Sequence, residues 1–269
     1  VTAIEQSYLR LAAAVAGVVV VFGLLMFLLA RHLFIGPIRR LIARTGRIAA
    51  ARPLSASERA LENDLLRVAF AADGSIASIY DKQADREVIP AGETANRLAV
   101  YTDLGDAWDF PMDYAEQAPR FLKLVNATPR VEGPRAVLEQ VYQLGHSALV
   151  QEIVLTAGSG RLDFISRLHW RETATMLRTS FPVTIHAEEA SYEIQFGHVR
   201  RPTHRNTTWD LARDEVVGHK WVDLSQRDYG VALLNDAKYG HKIKGHVIDL
   251  NLLRSVPHPG PRLVADADV

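Results

Sequence analysis

The pattern of apolar and polar positions divides the chain into unlike stretches. Residues 11–30, opening on Leu11 and closing on Ala30, run for twenty positions without a charge. At a rise of about 1.5 Å per residue, a helix of that length crosses a hydrocarbon core of roughly 30 Å. A helix satisfies its own backbone there. The pattern therefore predicts a single-pass membrane protein, with the lipid bilayer as a partner. A cleaved leader has a shorter apolar core, about 7–15 residues, and here Arg31 and His32 follow the run at once. Arg31, Arg39, Arg40, Arg44, Arg47 and Arg52 gather on the C-terminal side, against Glu5 and Arg10 before the span. This positive bias predicts that the rest of the chain lies on the cytoplasmic side.

Pro37 then suits a first helical turn. Ile38, Leu41, Ile42, Thr45 and Ile48 keep helical spacing, which predicts a basic amphipathic helix over 37–51. Residues 53–60 read as a linker. Beyond them the period changes to two. Leu66 to Phe70 alternates, Ala72-Asp73-Gly74 offers a turn, and Ile76 to Tyr80 returns. A second hairpin is expected around Leu144-Gly145-His146-Ser147, with strands over 136–142 and 149–155. Ala157-Gly158-Ser159-Gly160 turns into a strand over 162–168, and strands over 192–196 and 231–234 follow. Many short strands with regular turns predict a mainly β domain, a large antiparallel β-sandwich.

Charge and composition narrow the chemistry. Basic and acidic residues balance at 31 each, so no global field draws the chain to nucleic acid. Cysteine is absent, which excludes disulfides and thiolate metal sites. His198 and His204 stand among Arg200, Arg201 and Arg205, whose charge opposes a divalent cation. His241 and His246 read as residues of a Gly/Lys loop, and no H-E-x-x-H run is present. No metal site is expected. Glycoside hydrolysis needs two carboxyl groups at a set separation. Asp103, Asp106, Asp109, Asp113, Asp210 and Asp236 are available, but sequence spacing pairs none of them.

Two loops hold the densest chemistry. Gly105-Asp106-Ala107-Trp108-Asp109-Phe110 sets an aromatic plate beside carboxylates, the combination that meets the apolar face and hydroxyl rim of a sugar. The run R-R-P-T-H-R-N-T-T-W-D over 200–210 follows Pro202 with a dense set of donors, including Arg201, His204 and Asn206. Structural readings compete for both: Trp108 packed beneath its own loop, and donors bonded to backbone carbonyls. Asn235-Asp236-Ala237-Lys238-Tyr239-Gly240 reads as a tight turn at a strand end.

These loops belong to an ordered set. L-E-N-D-L-L-R-V at 61–68, S-I-Y-D-K at 78–82, G-D-A-W-D at 105–109, the run over 192–210, Y-G-V-A-L-L-N-D-A-K-Y-G at 229–240 and L-L-R-S at 252–255 stand in unbroken order. Together they resemble the C-terminal β-domain of glycoside hydrolase family 38, the α-mannosidases, from about Leu61 to about Pro257. Gly105 stands where that family has tryptophan. Residues 37–51 resemble the first helix of a HAMP linker.

The resemblance implies a galactose-mutarotase-like sandwich over 61–269 and a link to the hydrolysis of terminal α-mannosides. It implies that the nucleophile, the acid/base and the zinc ligands lie on a separate catalytic domain, and that a carbohydrate, an α-mannoside, is the partner. No catalytic residue and no cofactor is then expected in this chain. The carbohydrate-facing set is Trp108, Asp109, Arg201, His204, Asn206 and Asp236. The family pattern continues past Ser255 with further strands, so an open sheet edge is expected near the end. The alternatives left open are a membrane-tethered carbohydrate-binding or sensing module without activity, and a fused gene fragment.

Overall fold

The computed structural model describes residues 53–105, 108, 111 and 113–256. The expected membrane span, the basic helix, Asp109 and the last thirteen residues lie outside the described residues. Among the described residues no helix is long and apolar enough to cross a membrane.

Nineteen strands are described, and every pairing is antiparallel. The first sheet runs in chain order through β1 (Ser55–Ser57), β2 (Ala60–Glu62), β3 (Leu66–Phe70), β4 (Ile76–Asp81) and β5 (Arg86–Glu87). A second sheet holds β8 (Lys123–Glu132), β9 (Arg135–Leu144), β10 (Ser147–Thr156) and β11 (Leu162–His169). The third has six strands in the order β15 (Val216–Val217), β18 (Gly240–Lys244), β19 (Val247–Ser255), β12 (Thr175–Pro182), β6 (Arg97–Thr102) and β7 (Arg120–Phe121). The fourth is ordered β14 (Gly197–Pro202), β13 (Glu189–Ile194), β16 (Trp221–Ser225) and β17 (Gly230–Leu234).

Alternation drives the stacking. Leu66, Val68 and Phe70 of β3 point inward, while Arg67 stays exposed. Leu61, Val68, Ile76, Leu138, Ile153, Tyr192, Leu224, Ile243 and Ile248 form one core drawn from all four sheets. A smaller core of Leu98, Val100, Tyr142, Leu149, Leu177 and Leu253 seals the second sheet on the third. Burial of such side chains contributes about 1.5–3 kcal/mol each.

Turn chemistry explains the hairpins. Asp73 accepts from the Ser75 amide at 3.1 Å and the Ser75 hydroxyl at 2.6 Å, which closes the β3–β4 turn. Gly74 has φ +86°, and a Cβ there would stand 2.3 Å from the Tyr142 hydroxyl, so glycine is required on both counts. Gly145, at φ +54°, occupies the first loop position between Leu144 and Ser147, as a two-residue hairpin turn prefers.

The ordered sequence runs meet in space. Asn63 donates to the Thr156 and Ser159 carbonyls at 2.7 and 2.9 Å and accepts from the Leu65 and Leu66 amides. Lys82 Nζ donates to the Asn63 carbonyl, and the Tyr229 hydroxyl donates to Asp81 at 3.0 Å. At the far end Arg254 grips Asp103 through two hydrogen bonds.

Several expectations are corrected. Positions 53–60 are not a plain linker: β1 lies within them, because Leu54 and Ala56 pack on the main core. The strand expected over 192–196 ends at Ile194. Phe196 is at φ +60° in the turn to β14 and is fully exposed, since pairing of Ile194 with Gly197 leaves only Gln195 and Phe196 to reverse the chain. His241 belongs to no loop; it is a fully buried member of β18. The last described strand, β19, is not an open edge, because β12 and β18 pair with it on either side.

Candidate functional site: two loops on one sheet face

The first candidate loop leaves β6 at a pinned root. Asp103 is fully buried, accepts from Arg254 Nε at 2.6 Å and Nη2 at 3.1 Å, and receives the Gly105 amide at 3.2 Å. Beyond that root Leu104 and Trp108 stand 80% and 71% exposed. Trp108 is therefore presented at the surface. The chain returns through a 3-10 turn, Tyr114–Glu116, whose Tyr114 is buried.

Tyr114 covers a charged cluster on one face of the third sheet. Its ring centre lies 4.8 Å from the Arg178 guanidinium carbon and 4.9 Å from Lys242 Nζ, both within cation–π range. Arg178 is 1% exposed and donates to Asp249 Oδ1 at 2.5 Å and to both Glu215 oxygens at 3.0 Å. Burial holds the Asp249 and Glu215 carboxyls above the usual range, with the Arg178 charge pulling them back down. Lys242 pairs with Asp214, and Arg205 Nε reaches Asp214 at 2.8 Å.

Arg205 roots the second loop. Its guanidinium also donates to the His204, Asp214 and Ile243 carbonyls. Thr203 ties the loop to the chain before β13 through the Ala187 and Glu188 carbonyls. Thr207 caps a single turn, α1 (Thr208–Leu211), in a reciprocal box with Asp210. Hydrogen bonds from Thr207 hold the Asp210 carboxyl below its usual range.

The chain Tyr114–Lys242–Asp214–Arg205 thus joins the roots of both loops on one sheet face. The six expected residues fall out as follows. Trp108, His204 and Asn206 are exposed on these two loops, and His204 Nδ1 lies 3.6 Å from Asp210 Oδ2. Arg201 is recessed on β14, with its guanidinium carbon 4.7 Å from the Tyr192 ring centre. Asp236 is exposed in the β17–β18 turn, where its carbonyl accepts from Lys220. Asp109 lies outside the described residues. Among the described residues no three histidine or carboxylate side chains are grouped to hold a metal ion.

Sequence reasoning missed the charged cluster. The available signal was polar residues at strand spacing inside apolar runs: Arg178 in T-M-L-R-T, and Asp249 with Asn251 in V-I-D-L-N-L-L.

A sequence model of the family described as "Glycosyl hydrolases family 38 C-terminal domain" matches residues 61–262. Alpha-mannosidase G of Dictyostelium discoideum is 41% identical over 211 residues, covering 74% of this chain and 19% of that protein. Alpha-mannosidase 2C1 of Homo sapiens is 37% identical over 208 residues, covering 74% of this chain and 20% of that protein. The crystal structure of an alpha-mannosidase from Enterococcus faecalis V583 matches with a TM-score of 0.66 at 15% identity, over 80% of this chain and 28% of that one. That likeness shows the fold. The chain spans about a fifth of the length of the curated relatives it matches.

Proposed function

The chain belongs to glycosyl hydrolase family 38 through its C-terminal domain, and from that premise we propose that it serves the hydrolysis of α-mannosides as the accessory β half of the active unit. A catalytic part outside this sequence supplies the nucleophile, the acid/base and the zinc. The β-domain lends it the face that carries the loops of Trp108 and His204. One observation supports this reading above the others: the two loops richest in sugar-binding chemistry share roots through Tyr114, Lys242, Asp214 and Arg205. Exposed Trp108 offers a plate for a sugar ring, while His204 and Asn206 offer hydrogen bonds to hydroxyls. Asp109, Arg201 and Asp236 complete the proposed set.

Mannose titrated into the full chain is expected to quench or shift tryptophan fluorescence weakly and saturably, because a monosaccharide buries little area. Trp108→Ala should abolish the response. An equal response in that variant, or none in the parent, counts against the sugar-facing surface.

The apolar run over 11–30 supports a further reading, that the chain is held at the membrane with the β-domain on the cytoplasmic side. Fractionation tests it. The full chain should sediment with membranes, and a chain lacking residues 1–52 should not. A full chain found in the detergent-free supernatant would contradict it.

A further inference from the structure

Among the described residues, the Nη1 of Arg201 is buried and has no hydrogen-bond partner. Burial lowers its pKa, and the Arg213 charge adds to that effect. Nearby cations are balanced. Arg205 pairs with Asp214 at 2.8 Å, and Arg213 faces Asp210 at 3.4 Å. Asp210 has little left to offer Arg201. Its Oδ2 accepts from the Thr207 amide and hydroxyl at 3.2 and 2.8 Å, and its Oδ1 takes the Arg213 contact. Arg201 has the face of the Tyr192 ring, and among the described residues no carboxylate pairs with it.

Beside Arg201 lies a small cavity lined by Tyr192, Pro202, Arg205, Asp210, Arg213 and Val216. Its free volume is about 10 Å³, which is room for a single oxygen atom. A water molecule there would supply the missing hydrogen bond and leave the charge uncompensated. A carboxylate oxygen would supply both, and a half-buried cation gains more from a partner of opposite charge than a fully solvated one does. The Arg213 side chain, 57% exposed, lines the same cavity and stands on the path to solvent.

We propose that the cavity between Arg201 and Arg213 is a carboxylate-binding pocket, which seats one oxygen on Arg201 Nη1 and leaves the second to the exposed Arg213. A mannoside carries no carboxylate, so the pocket takes a second class of ligand; it shares Arg201 with the proposed sugar-facing set, and the carboxylate titration is read separately from the mannose titration. The carboxylate comes from one of two sources, a free small acid or an acidic side chain of a polypeptide.

Formate and N-acetylglutamate amide, each titrated into the full chain at constant ionic strength against chloride, separate the two. The readout is the side-chain Nε–H resonance of Arg201 by NMR, with the thermal midpoint recorded in parallel. Formate should shift that resonance saturably in the roughly millimolar range expected of so few contacts, and should raise the midpoint. Binding of formate alone assigns the pocket to free acids; binding of both ligands assigns it to acidic side chains as well. Arg201→Met, which keeps an apolar stem on Tyr192, should abolish the midpoint shift. Arg213→Gln, at an exposed side chain whose contacts are with Asp210 and the Trp209 carbonyl, should weaken formate at least threefold, with the ligand-free midpoint as the control for the fold. A response that chloride reproduces, or one unchanged in Arg213→Gln, overturns the proposal and assigns the cavity to water.

Discussion

Arg178→Met is expected to destabilise the β-domain by about 3–5 kcal/mol, the usual cost of removing one member of a buried ion cluster. The loss follows from what remains. Asp249 and Glu215 keep side chains only 21% and 12% exposed, and burial already opposes their ionisation. Without the guanidinium they stay buried with Lys242 nearby, or take up protons. At roughly 2–4 °C per kcal/mol for a domain of this size, the thermal midpoint should fall by at least about 6 °C. Urea denaturation of parent and variant measures the loss directly. A companion variant combining Arg178→Met, Asp249→Leu and Glu215→Leu should recover most of it, because apolar replacement of a whole buried cluster is often neutral. A single-variant loss below about 1 kcal/mol would show that the cluster adds little to the fold.

Acid should weaken the domain through His241. This ring is fully buried, and among the described residues neither nitrogen has a hydrogen-bond partner. Burial, with Arg178 and Arg201 adding repulsion, lowers its pKa from 6.5 to about 4. The folded state therefore holds the neutral ring, while the unfolded chain takes up a proton below about pH 6.5. Stability from this residue is complete above pH 6.5 and falls as the pH drops toward 4, by roughly 3 kcal/mol over that window. Denaturation at pH 7, 5.5 and 4 measures it. The parent should lose ground relative to His241→Leu as the pH falls, since leucine has no proton to gain. A constant difference between the two across these pH values would place the titration elsewhere.

The strands and their turns were legible in the sequence because local chemistry specifies them. Asp73-Gly74 and Gly145-His146 sit between alternating runs, and each makes the turn its residues favour. The tight turn read over 235–240 also appears: Asn235 accepts from the Lys238 amide at 2.6 Å ahead of β18. Misreadings arose where tertiary pairing overrode local pattern. Alternation in Y-E-I-Q-F runs on to Phe196, yet the register of β13 with β14 ends the strand two residues earlier. His241 lies between Gly240 and Lys242, which suggests a loop, but its period-two partner Ile243 shares its burial and marks a strand. Of the candidate site, the two loops could be named from their residue types. Their shared roots could not, because Tyr114, Lys242, Asp214 and Arg205 come from one strand and three connecting segments that only the folded chain brings together.

Exchange of the β half inside an active relative tests the functional account most directly. Residues 61–256 of this chain would replace the matching segment of Alpha-mannosidase 2C1 of Homo sapiens, to which the chain is 37% identical. Turnover of an aryl α-mannoside with zinc would be followed beside the thermal midpoint of the chimera, with the present chain alone as control. The chain alone should not turn over the substrate. The chimera should fold and work within about tenfold of the parent enzyme, and Trp108→Ala should lower its turnover by at least tenfold more. A chimera that folds and does not turn over, or one indifferent to Trp108→Ala, would contradict the claim that this face serves mannoside hydrolysis.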